Sequence, residues 1–216
     1  MKKMLILAGA VLALAAGTAP AAQQNVIHLS GNAWETGGFP ASFAGDELQM
    51  VGVINQIVAP LFWSPNIYSY TYYFRDLISL GETVYGTTRV VTYDGGKFSL
   101  HVDWLPSNAD YGVNPPNATS PSTFIDGHSV YLEADVSNFT LTYRQDVSSG
   151  SFVGELSFTG GNAYPQLQSP DGWAVAAHIS GVSPVGYDLE VNGIIYVDGP
   201  LAVDSDTWGG VKALYR

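Results

Sequence analysis

The chain has no cysteine, only eight lysines and arginines against 19 aspartates and glutamates, and charged residues make up 12% of its 216 positions. Without cysteine no disulfide can staple the fold, so stability must come from a buried core. The scarcity of basic residues disfavours a nucleic-acid partner, because phosphate neutralisation needs clustered cations and Arg75, Arg89, Lys97, Arg144, Lys212 and Arg216 are scattered. Past residue 22 no window repeats apolar residues at helical spacing over three turns, and no segment approaches the roughly 20 apolar residues of a membrane-spanning helix. Sequence motifs for chemistry are missing too: there is no Gly-x-Ser-x-Gly elbow, no glycine-rich phosphate loop and no His-Glu-x-x-His.

What is present begins with an export signal. Lys2 and Lys3 precede an apolar run from Met4 to about Ala16, and Ala19 and Ala21 supply the small residues that a signal peptidase reads. Residues 1–22 are therefore expected to be removed, placing the protein in the periplasm or outside the cell. Two basic residues leave with the signal, so six remain against 19 acidic ones and the net charge becomes −13. A surplus of that size keeps an exported protein soluble or gathers cations around it.

The mature chain, 23–216, is expected to form one all-β domain. Hydrophobic residues reach 46% of the chain, and 13 Tyr, nine Phe and five Trp give the core its bulk. Period-two alternation bounded by Gly, Pro, Asn and Asp recurs about every ten residues. In Lys97–Trp104 the residues Phe98, Leu100, Val102 and Trp104 share one face, and Val130–Val136 and Phe139–Tyr143 alternate in the same way. Asp94-Gly95-Gly96 is read as a hairpin turn, Ser137-Asn138 as a second that would set Tyr131 opposite Arg144, and Asn192-Gly193 as a third. Nine to eleven antiparallel strands follow, since no helix is available to connect parallel ones. An antiparallel β-sandwich is the first expectation and a β-barrel the alternative, with long loops at 106–126 and 160–172.

The sequence carries candidate sites without a catalytic constellation. Tyr68, Tyr70 and Tyr72 line one face of a strand with Phe74; exposed, such a ladder could stack on sugar rings or on another protein, and turned inward it is an ordinary core face. Trp34, Trp63, Trp104, Trp173 and Trp208 fit either a loop tip or the core. Asp204-Ser205-Asp206 opens like a calcium loop, but Trp208 takes an oxygen-ligand position and no Glu follows at the twelfth. An irregular calcium site from Asp198, Asp204 and Asp206 is the one metal reading left, and no other cofactor is implied. Glu133 and Asp135 share a strand face as a glycosidase pair would, and equally as solubilising residues would. His28, His101, His128 and His178 are isolated in sequence.

The expected function is a non-enzymatic binding, adhesion or structural role at the cell envelope or beyond, acting through loops or an exposed strand edge on a glycan or an envelope protein. A secreted polysaccharide hydrolase or lyase is the alternative, and a small outer-membrane barrel the second alternative. The sequence does not indicate an oligomeric state.

Overall fold

A computed structural model describes residues 23–112, 121–125 and 129–198. Nine strands form: β1 (Gln23–Glu35), β2 (Glu47–Ile57), β3 (Tyr68–Tyr85), β4 (Thr88–Asp94), β5 (Lys97–Trp104), β6 (Ser129–Arg144), β7 (Ser149–Gly160), β8 (Trp173–Ser180) and β9 (Leu189–Asp198). All are antiparallel and each pairs with its neighbours in sequence, β4 and β5 lying end to end between β3 and β6. The last strand returns to the first, Ser30 facing Asn192 and Gly31 facing Val191. Eight strand positions therefore close into an up-and-down barrel, the barrel form of the expected all-β fold. Every strand has a partner on both sides, so among the described residues there is no open edge for the strand addition expected from sequence.

The alternation read from sequence becomes inside and outside. Phe152, Leu156 and Phe158 of β7 and Trp173, Val175, Ala177 and Ile179 of β8 are buried, whereas Ser151, Glu155, Ser157 and Thr159 face solvent. An eight-stranded barrel has an interior about as wide as its own side chains, and aromatic rings fill this one. Rings meet at 4.8 Å between Phe74 and Phe98, 4.9 Å between Phe139 and Phe152, and 5.2 Å between Phe158 and Trp173.

Glycine makes room for one of the largest of them. Gly31 and Gly52 face each other across β1 and β2, and the ring of Tyr72 lies over both. A Cβ on Gly31 would stand 2.5 Å from the Tyr72 hydroxyl, and one on Gly52 would stand 2.5 Å from the ring. The fully buried hydroxyl has no hydrogen-bond partner among the described residues, and an orphaned buried polar group costs about 1–3 kcal/mol. Tyr72→Phe is accordingly expected to leave the fold intact and raise the urea midpoint. A loss above about 1 kcal/mol in that titration would mean that the hydroxyl is bonded after all.

The three expected turns are not turns. Asp94, Gly95 and Gly96 join β4 to β5 without a reversal, and the register against β3 runs on from Asp94 opposite Ile78 to Lys97 opposite Arg75. The hairpin lies earlier, at Gly86-Thr87 between Tyr85 and Thr88. Gly95 (φ 66°) and Gly96 (φ 128°) lie level with Asp76 (φ 59°) on β3 and Asn138 (φ 50°) on β6. Left-handed backbone on three adjacent strands makes a fold line that bends the sheet toward closure. Ser137-Asn138 is the β6 part of that line, so β6 continues to Arg144. Tyr131 and Arg144 sit on one strand, the tyrosine donating to the Phe62 carbonyl at 2.6 Å and the arginine paired with Asp146 at 2.7 Å. Asn192-Gly193 lies inside β9, where a Cβ on Gly193 would come within 2.7 Å of the Ala177 methyl group. In each case glycine or asparagine serves a bend or a close approach with the residue types that a turn would use.

The described parts of the connection from β5 to β6 pack on the outer wall of the barrel. Phe124 and Tyr111 cover Trp34, Val51 and Tyr73 on the outer wall, with Tyr187 completing the cluster. Thr71 donates to the Phe124 carbonyl at 2.6 Å, and Tyr187 donates to the Tyr111 carbonyl at 3.1 Å. Both faces of β3 are thus buried between Tyr70 and Phe74.

Candidate binding site at the aromatic end of the barrel

The tyrosine ladder runs along the barrel axis. Tyr72 and Tyr70 are buried, and Tyr68 emerges half-buried at the end where the connections β2–β3, β5–β6 and β7–β8 meet. The ladder is therefore core over most of its length and reaches the surface at one rung. Trp104, directly opposite Tyr68 on β5, packs against it at 4.8 Å with the rings tilted by 49° and is 66% exposed.

Other rings join from the β2–β3 loop, where prolines at 60 and 65 bracket Leu61-Phe62-Trp63. Trp63 packs on Tyr70 at 4.6 Å, and Tyr70 meets Tyr131 edge-on at 5.6 Å. Phe62 is 59% exposed, yet its backbone is fixed at both polar atoms: its N–H donates to Gln166 at 2.9 Å and its carbonyl accepts from Tyr131. Ile67 and Leu105, joined by a 3.1 Å backbone hydrogen bond, extend the exposed apolar surface beside Trp104. The result is a ring of apolar side chains open to water on a rigidly held frame. Sequence reasoning included Trp63 and Trp104 among its candidates but missed Phe62; an apolar triplet between prolines is the signal that marks it.

The opposite end is closed over a carboxyl group. Glu35, the last residue of β1, points inward and is 4% exposed. Ser42 of the β1–β2 loop donates to its Oε1 at 2.5 Å and contacts Ser79 Oγ at 2.7 Å, while Tyr93 reaches Oε2 at 3.5 Å. Burial pushes this carboxyl up to about 7; Asp46 and Asp188 add to the rise, and the hydrogen bonds from Ser42 and Tyr93 oppose it. Asp188, which accepts the Glu35 backbone N–H at 2.9 Å, is also raised, chiefly by burial. A serine held on a carboxyl of near-neutral pKa has the chemistry of an activated nucleophile. Ser42 is 1% exposed, however, and the pair serves to anchor the loop.

The remaining candidates do not gather. Glu133 and Asp135 are exposed on the outer face of β6, Asp135 paired with Lys97. His101 lies buried on β5, His28 and His178 lie on the outer face of β1 and β8, and His128 is outside the described residues. Asp204 and Asp206 are likewise outside them; Asp198 ends β9, so the three-aspartate calcium site has no described geometry. Among the described residues no three His, Asp or Glu side chains are grouped to hold a metal ion.

Comparison with known proteins places no relative beside this chain: no family model, no curated protein and no solved structure matches it.

Proposed function

We propose that this is an exported, non-enzymatic binding protein that engages a glycan of the cell envelope or its surroundings through the aromatic end of the barrel. The observation that carries the reading is the Tyr68–Trp104 pair, two tilted rings in contact and left open to water on a braced scaffold. Exposed aromatic surface of this kind costs solvation energy unless a partner covers it. Sugar rings present flat C–H faces that aromatic rings accept. The braced Phe62 backbone adds support, because a preorganised rim loses little entropy on binding.

The hydrolase reading has less behind it. It needs two carboxylates converging in a cleft, and the Glu133–Asp135 pair stands on an open wall with one member neutralised by lysine. The outer-membrane reading is opposed by the outward Glu133, Asp135, Glu155 and Glu190, because a lipid-facing wall must be apolar.

Trp104→Ala tests the proposal. On a glycan array the full chain is expected to bind at least one saccharide class, and the variant to bind it at least about tenfold more weakly, the size of a single aromatic hot spot. The change sits at the surface, so thermal stability should move by less than about 1 kcal/mol. Binding that survives the substitution unchanged would remove the aromatic end from the function.

A further inference from the structure

A second surface lies on the other side of the barrel. The outward side chains of β8 are Ala174, Ala176, His178 and Ser180, and the two alanines leave a depression between taller neighbours on β7 and β9. Ser151, His178 and Asn192 stand side by side across the ladder, with Val153, Ala176 and Ile194 as the next row. Both rows continue onto β1, Asn192 beside Ser30 and Ile194 beside His28. The groove holds about 620 Å³, within the range of small-ligand sites. A neighbouring depression shares Val153 and runs on past Ala174 to Tyr196, Asn138 and Glu155.

Its far wall depends on an irregularity in β2. Ile54 pairs with Leu29 and Gln56 pairs with His28, so Asn55 is an extra residue in the ladder. The bulge turns both Asn55 and Gln56 outward, giving two adjacent amides where a regular strand would give one. Asn55 is held in place by donating to Ser30 Oγ at 3.0 Å.

The lining is chemically selective. None of the thirteen residues around the depression at Ala176 is Asp, Glu, Lys or Arg, in a chain with 19 acidic residues. Amide, hydroxyl and imidazole groups both donate and accept hydrogen bonds, as sugar hydroxyls do. Ala176, Ile194 and Val153 offer an apolar floor to the C–H face of a pyranose. Glu155 near the outer end and the negative charge of the whole protein repel a polyanion.

We propose that the alanine-floored groove along β8 is a second binding site, independent of the aromatic end, for a segment of an uncharged polysaccharide contacted by His178, Asn192, Asn55 and Gln56. Because β8 and the Tyr68–Trp104 step lie on opposite sides of the barrel, one molecule can hold two polymer segments at once.

Affinity electrophoresis of the full chain, in native gels cast with neutral glucan, mannan or galactan and with alginate as the acidic control, tests the site. At least one neutral polymer is expected to retard the protein. Ala176→Trp, which fills the groove from an outward position, should weaken that retardation at least about tenfold, as should Asn55→Ala combined with Gln56→Ala. Each variant is made in a Trp104→Ala background, so that the aromatic end is removed and the retardation that remains reads the groove alone. If Ala176→Trp lowers the melting temperature, the amide double variant decides. The proposal is overturned if no neutral polymer retards the protein, if retardation persists in the decisive variant, or if alginate retards it as strongly.

Discussion

Gly31→Ala and Gly52→Ala are each expected to destabilise the barrel by at least about 3 kcal/mol, the upper end of ordinary overpacking. A Cβ on Gly31 would stand 2.1 Å from the Val51 carbonyl oxygen, and one on Gly52 would stand 2.1 Å from the Ser30 carbonyl oxygen. Each would also fall 2.7 Å from the opposing Cα. The obstacles are backbone atoms of the paired strand, so β1 and β2 would have to separate at the point where they seat Tyr72. Domains of this kind are typically stable by about 5–15 kcal/mol, which makes either substitution a large fraction of the total. Urea unfolding followed by tryptophan fluorescence would measure it. Trimming Tyr72 to alanine in the same molecule should not rescue Gly31→Ala, because the ring is only part of the clash. A glycine variant within about 1 kcal/mol of the parent would show that the strands are farther apart than described.

The second large effect concerns pH. The Glu35 carboxyl is raised from 4.5 to about 7 in the folded protein, so between those values the folded state holds a proton that the unfolded state has released. Its contribution is fully present below about pH 4.5 and is lost as pH rises through about 7. At about 1.4 kcal/mol per unit, the rise is worth at most about 3.5 kcal/mol. The parent protein is therefore expected to lose stability from pH 5 to pH 8, and Glu35→Gln to lose less over the same range. The variant should nearly match the parent at pH 5 and exceed it at pH 8. Thermal melts at the two pH values read this directly. Equal slopes for the two proteins would show that Glu35 is charged in the fold at neutral pH and paired in some other way.

The strands themselves were largely legible in the sequence, because a wall with one wet face and one dry face imprints period two on its residues. Phe98, Leu100 and Val102 point inward as their spacing requires, and Val130–Val136 and Phe139–Tyr143 prove to be two stretches of one strand. Direction was harder to read. Gly95-Gly96 and Asn138 have the chemistry of turns, and only their alignment with Asp76 on a neighbouring strand reveals a bend in a continuous sheet. That alignment is a tertiary fact. Closure was hidden for the same reason, since the seam joins Ser30 to Asn192 across most of the chain and nothing local records it.

The candidate surfaces divide in the same way. The tyrosine ladder stood out in the sequence as a set, but its burial differs rung by rung, from enclosed Tyr72 to Tyr68 at the mouth. Phe62 joins that mouth because Tyr131 and Gln166, 69 and 104 residues away, hold its backbone. The groove on β8 is less visible still, because small residues at positions 174 and 176 matter only through what stands on either side. Glu35 reads as one acidic residue at the end of an apolar stretch, and its character comes first from burial, then from two neighbouring aspartates against the opposing hydrogen bonds of Ser42 and Tyr93.

Both proposed binding surfaces depend on the seam between the first and last strands, since closure pairs every described strand on both sides and leaves the ends and the outer wall for recognition. The absence of cysteine allows a clean probe: Ser30→Cys with Asn192→Cys places one thiol on each side of the seam, and Ser30→Cys with Val53→Cys does the same across the β1–β2 ladder. Under mild oxidation both pairs should form a disulfide, seen as a mobility shift that reductant reverses. A ladder pair that oxidises while the seam pair stays reduced would mean that the sheet is open, and would contradict the account.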